Sequence, residues 1–159
     1  MTEFPEEQEK QAWIVSLRLL AATPKSAKEL HDKLAAKGFP AALIQKTIET
    51  LQTKGLLSDR ALAQNIVTRF TQSSPSGSRK ISFELKRKGV GSKLREEILE
   101  GLNPEDETAR AREIAQVKWE RFAGLDANKR KRRIYDFLIR RGFDFQTVRD
   151  VVEELERTS

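Results

Sequence analysis

Seven basic side chains crowd the seventeen positions from 79 to 95: Arg79, Lys80, Lys86, Arg87, Lys88, Lys93 and Arg95, opposed there by Glu84 alone. Cations at this density raise the local potential and attract phosphates or an acidic protein surface. They cannot all share a helix's apolar stripe, so most must face water. A second concentration lies at Lys129, Arg130, Lys131, Arg132 and Arg133, followed by Arg140 and Arg141. Five consecutive residues wrap more than one turn of helix, which predicts a collar rather than a single face. The first group is the principal candidate for binding a polyanion and the second a subsidiary one. The competing reading of both is a solvated helix face, since Lys and Arg are good helix formers.

Covalent and metal chemistry find little footing. With no cysteine and His31 as the one histidine, disulfides, thiolate zinc sites, cysteine nucleophiles and Ser-His-Asp triads are set aside. Gly89-Val90-Gly91-Ser92-Lys93 has a superficial likeness to a phosphate-binding loop, but the full spacing is missing and no strand precedes it. Glu153, Glu154 and Glu156 read as a solvated terminal helix. No catalytic constellation, metal site or cofactor is predicted. Stacking on nucleic-acid bases needs exposed rings, and the aromatic residues fall mostly at inward spacing. Trp119, between Lys118 and Glu120, is the exception weighed, and it too is read as core.

The 159 residues carry 30 basic and 24 acidic groups, a net charge of +6. Residues 61 to 102 hold 8 basic and 4 acidic residues, so the middle of the chain carries most of the excess. No apolar run approaches the roughly 18 residues a membrane span needs. The start is acidic rather than a basic segment leading into an apolar one. A soluble, cytoplasmic protein is expected.

The elements that must position the cations come from a motif used three times: Leu30, Leu34, Lys37, Gly38, Phe39; then Ile81, Leu85, Lys88, Gly89, Val90; then Ile134, Leu138, Arg141, Gly142, Phe143. Each copy reads as the end of an amphipathic helix. Apolar residues eight and four before the Gly share a face, the basic residue suits the negative end of the macrodipole, and Gly takes the left-handed conformation that stops the helix. Repetition at about fifty residues points to stacked helical units. The predicted fold is all-α: three tandem three-helix repeats, residues 1–57, 58–102 and 103–159, in an elongated, curved array, with a single compact bundle as the alternative.

Within that scheme residues 1 to 9, with Pro5, are expected to be frayed. A first helix from about Glu7 turns Trp13, Ile14, Leu17, Leu20 and Ala21 inward. Ser26 and Glu29 form a capping-box pattern for residues 27 to 37, and Pro40 fits the first turn of a helix burying Ile44, Ile48 and Leu51. Ser58 or Asp59 caps a helix bearing Leu62, Ile66, Val67 and Phe70. The Ser-rich stretch 72 to 78 predicts a mobile loop. Leu94, Ile98 and Leu102 mark the helix after Gly89. Asn103 caps a helix with Pro104 in its first turn and Ala111, Ile114, Val117 and Phe122 inward; Phe137, then Val148, Val151, Val152 and Leu155, complete the core. No strand pattern competes.

Four segments in order carry a family resemblance. These are Ser26 to Leu34 followed by Lys37-Gly38-Phe39; Gly55-Leu56-Leu57-Ser58-Asp59; the series Gly77, Lys80, Ile81, Glu84, Leu85, Lys88, Gly89 and Val90; and Leu138 to Phe143. Together they resemble the regulatory protein RecX family, modulators of the RecA recombinase, over about residues 16 to 156. The resemblance implies a curved array of three-helix units lying in the groove of the RecA filament on DNA. It implies an inhibitor of filament growth, and so of recombination and the SOS response, with no cofactor and no catalysis. The partners implied are the RecA filament and single- or double-stranded DNA, engaged by a monomer. A general DNA-binding helical protein acting without RecA is the alternative, and a metal nuclease lacks a ligand cluster.

Overall fold

A computed structural model describes residues 3–159. Among them the chain forms nine α-helices and no strand: α1 (Glu6–Ala22), α2 (Ala27–Ala36), α3 (Ala41–Thr53), α4 (Asp59–Thr68), α5 (Ser78–Arg87), α6 (Ser92–Glu100), α7 (Pro104–Arg121), α8 (Ala127–Arg140) and α9 (Phe145–Arg157). A π-helical turn, Arg69–Ser73, continues α4. The chain separates into two compact units, Met1–Ala63 with Lys86–Gly91, and Gln64–Leu85 with Ser92–Ser159.

In the first unit α1 to α3 enclose Leu30, Leu34, Ile44, Ile48, Leu51 and Leu57, with Trp13, Val15, Leu19, Leu20 and Phe39 against them. The capping box forms as the sequence predicts, Ser26 accepting from the Glu29 amide and Glu29 from the Ser26 amide. Pro40 is the residue before α3 rather than inside its first turn. The expected inward face of α1 is rotated. Ala12 and Ser16 are fully buried, whereas Leu17 and Ala21 face out. Small residues let neighbouring helices approach closely, and the Ser16 hydroxyl is satisfied by the Ala12 carbonyl at 2.7 Å. Helix α1 already begins at Glu6, against the fraying expected through residue 9; residues 1 and 2 of that stretch lie outside the described residues.

Lys25 is 7% exposed, and its ammonium donates to the carbonyls of Leu19 and Thr23 and to Thr23 Oγ1. It thereby closes the negative end of α1, an arrangement the macrodipole favours. Burial pushes its pKa below the ordinary lysine value.

In the second unit α7, α8 and α9 pack round Ala111, Ala115, Trp119, Ile134, Leu138, Phe143, Val148, Val151, Val152 and Leu155. The inward face of α7 is Glu107, Ala111, Ala115 and Trp119 at four-residue steps, and Val117 lies half exposed opposite it. Trp119 is core, as expected, and its indole N–H donates to Ser159 Oγ at 2.7 Å. Helix α6 contributes no fully buried residue. The Ser-rich stretch is not a free loop. Ser76 is fully buried, its amide donates to the Phe70 carbonyl at 2.8 Å, and Arg110 and Arg141 reach the carbonyls of Ser76 and Pro75.

Candidate functional site

The first cationic group is displayed by α5, and two constraints orient that helix. Ile81 and Leu85, one turn apart, are fully buried. At its start, Glu107 accepts from the Ser78 amide at 2.8 Å and from the Ser78 hydroxyl at 3.1 Å, so a side chain from α7 caps α5. The Gly77 amide donates to Arg141 O at 2.9 Å and the Arg79 amide to Gly142 O at 3.1 Å. This backbone-on-backbone seat requires glycine on both sides. A Cβ on Gly77 would overlap the Gly142 carbonyl and lie 2.5 Å from Phe143 N; one on Gly142, where φ is +84, would lie 2.5 Å from Lys80 N.

With Ile81 and Leu85 inward, Arg79, Phe83, Lys86 and Arg87 occupy the outer side of α5, all exposed. The Arg79 guanidinium lies 5.4 Å from the Phe145 ring centroid. Lys80 turns away, its ammonium 5.7 Å from the Phe70 ring centroid. Lys88 is tied into the first unit: its ammonium reaches Pro24 O at 3.4 Å and Glu29 Oε1 at 3.8 Å, and its carbonyl accepts from Ser26 Oγ. Lys93 is exposed in the first turn of α6, and Arg95 is half-buried.

The second group divides as well. Asp126 caps α8 by accepting from the amides of Asn128 and Lys129 at 3.1 and 3.2 Å. Arg130 folds back, its guanidinium 3.8 Å from the Trp119 ring centroid and donating to Trp119 O at 2.9 and 2.6 Å. Lys131 pairs with Glu156 at 2.8 Å. Arg141 donates to Ser74 Oγ at 3.1 Å and lies over the Phe137 ring. What remains outward is Lys129, Arg132, Arg133 and Arg140, with Asp136 among them. These recur at three- and four-residue steps, so the expected collar resolves into one stripe along α8.

The aromatic residues are expected mostly at inward spacing, and two rings depart from that: Phe83 is 64% exposed and Phe145 53%. Phe83 had a signal in the sequence, because it sits midway between Ile81 and Leu85 and so on the opposite side of the helix. Phe145 is three residues before Val148 and shares its spacing. It is the first residue of α9, and its ring lies against the Arg79 guanidinium rather than in the core.

Shallow hollows of about 290 to 330 Å³ open beside Trp13, Ile98 and Thr108, and none of these is lined by a group of catalytic side chains. Among the described residues no three His, Cys, Asp or Glu side chains gather to hold a metal ion, and no helix is long and apolar enough to cross a membrane.

The fold is thus an all-α array of three-helix domains displaying cations on helix faces. Residues 12–51 match the model of the first three-helix domain of RecX and residues 105–152 that of the third. Among curated proteins, the regulatory protein RecX of Chlorobium phaeobacteroides (strain BS1) is 35% identical over 150 residues, spanning 94% of this chain and 97% of that one. That of Streptomyces lividans is 31% identical over 156 residues, 96% of this chain and 83% of that one. The crystal structure of RecX from Lactobacillus salivarius superposes with a TM-score of 0.84 at 20% identity, covering 96% of this chain and 99% of the other, which speaks to the fold alone. The chain belongs to the RecX family.

Proposed function

We propose that this protein is a non-enzymatic regulator that binds RecA nucleoprotein filaments and limits their growth, thereby restraining recombination and the SOS response. Kinship with regulatory RecX proteins over 94% of the chain carries the reading. The outward cations supply a physical means. A filament of protein on DNA is a repeating polyanion, and a chain of three-helix domains, residues 1–57, 58–102 and 103–159, can meet it with several weak contacts at once. Arg79, Lys86 and Arg87 on α5 are the principal contacts in this proposal, and Lys129, Arg132, Arg133 and Arg140 on α8 the secondary ones, all exposed. Lys80, Lys88, Arg130, Lys131 and Arg141 serve mainly to build the frame, since each is half-buried. The protein is proposed to work in the cytoplasm as a monomer.

The test is inhibition of RecA-catalysed strand exchange. Lys86→Ala with Arg87→Ala is expected to keep full helicity and lose inhibition; undiminished inhibition refutes this placement. Titration against bare and RecA-coated DNA separates the proposal from a general DNA-binding protein. Tighter binding to the coated strand is expected, and equal affinity overturns the assignment to RecA.

A further inference from the structure

We infer that Phe83, Arg79 and Phe145 form a stacking platform for unpaired nucleotides, with Arg149 at its margin. Phe83 and Phe145 are the two aromatic members of the exposed large hydrophobic set among the described residues. Leaving such a ring in water forgoes the stabilisation of a buried aromatic, and neither belongs to the core. Their arrangement accounts for the exposure. Arg79 precedes Phe83 by one turn of α5, and its guanidinium rests against Phe145. Its own amide is fixed on Gly142 O at 3.1 Å, which anchors the backbone from which the guanidinium reaches Phe145. Arg149 is exposed one turn after Phe145 on α9. Asp144, beside Phe145 in the chain, is occupied by the Thr147 amide at 2.8 Å and hydroxyl at 3.2 Å.

A ring, the guanidinium on it and a second exposed ring one helical turn along α5 offer the elements of base, phosphate, base. A nucleobase stacks on phenylalanine whatever its identity, and the linking phosphate meets the cation. In a duplex the base faces are hidden, so the platform selects single strands. An acidic protein surface would satisfy the cations but leave two flat rings without a match. This inference rests on the polyanion reading of α5 and extends it to the bare strand.

The test is fluorescence anisotropy with a labelled oligothymidylate and a hairpin duplex of equal length. Phe83→Ala and Phe145→Ala should each weaken oligothymidylate binding about 5- to 10-fold while changing duplex binding less than about twofold. Their salt slopes should match the parent, Arg79→Ala should lower the slope by about 0.7, and Phe83→Trp should retain affinity. Oligouridylate bound as tightly would extend the ligand to any unpaired strand, since the chemistry is shared. Unchanged oligothymidylate affinity, or an equal loss on duplex, overturns the platform. Ring variants that bind oligothymidylate normally but lose affinity for DNA-free RecA would assign the surface to a protein and overturn it too. If the rings prove inert while Lys86→Ala with Arg87→Ala still weakens filament binding, stacking fails and the regulatory reading stands. Both rings are exposed, so circular-dichroism melting of the variants should match the parent.

Discussion

Gly77→Ala isolates what holds the cationic helix in place. The added methyl would overlap the Gly142 carbonyl and lie 2.5 Å from Phe143 N, and backbone atoms cannot rotate aside as a side chain can. The start of α5 must therefore lift. That breaks or weakens the bonds from the Gly77 amide to Arg141 O and from the Arg79 amide to Gly142 O, each worth about 1 kcal/mol. Overpacking adds about 1 to 3 kcal/mol. A total of about 3 to 5 kcal/mol is expected, read as a lower urea midpoint followed by circular dichroism. The control is Gly38→Ala, where φ is +90 but nothing lies within 4 Å of the new Cβ. Only left-handed strain acts there, about 1 to 2 kcal/mol. Gly77→Ala should also lose strand-exchange inhibition under conditions where it remains folded, because Arg79 moves with the helix start. A midpoint for Gly77→Ala as high as that of Gly38→Ala would refute the reasoning.

Removing two phosphate contacts by Lys86→Ala with Arg87→Ala should flatten the salt dependence of DNA binding by about 1.8, so the parent loses about tenfold more affinity than the variant between about 50 and 200 mM salt. An unchanged slope measured by anisotropy would count against phosphate contact. Arg130→Ala should shift Trp119 emission and lower stability by about 1 to 2 kcal/mol with little effect on filament binding, whereas Arg132→Ala with Arg133→Ala should do the reverse. Arg112 hydrogen-bonds the Glu154 carboxylate at 2.6 and 3.1 Å and holds its pKa below the ordinary glutamate value. A depressed carboxylate pKa adds stability above the unfolded value and loses it as pH falls through the folded one. The pair is half exposed, so its worth is at most about 1 kcal/mol. Glu154→Gln should be less stable than the parent at neutral pH, and urea melts should show the gap closing as pH drops below the glutamate range.

Helix existence was legible because apolar spacing and stop signals agreed. Leu30 and Leu34, Ile81 and Leu85, and Ile134 and Leu138 are all fully buried, and Gly38, Gly89 and Gly142 all have positive φ. Helix rotation was less legible where small residues make the contact. Ala12 and Ser16 on α1, and Ala111 and Ala115 on α7, bury completely without contributing the large side chains that a stripe is read from, so Leu17 and Val117 were turned the wrong way. The loop from 72 to 78 has a composition that favours disorder, yet its polar groups find partners on Phe70, Arg110 and Arg141.

Local patterning alone determined that this chain is helical, where its helices stop and that positive charge concentrates on two of them, because those properties follow from residues within a few turns of one another. Which cations face water was decided by tertiary structure. Arg130 is drawn onto Trp119, Lys131 onto Glu156 and Lys88 onto Glu29, partners eleven to fifty-nine residues distant. Such pairings arise only once the helices pack. The same packing leaves the Phe145 ring in solvent beside Arg79.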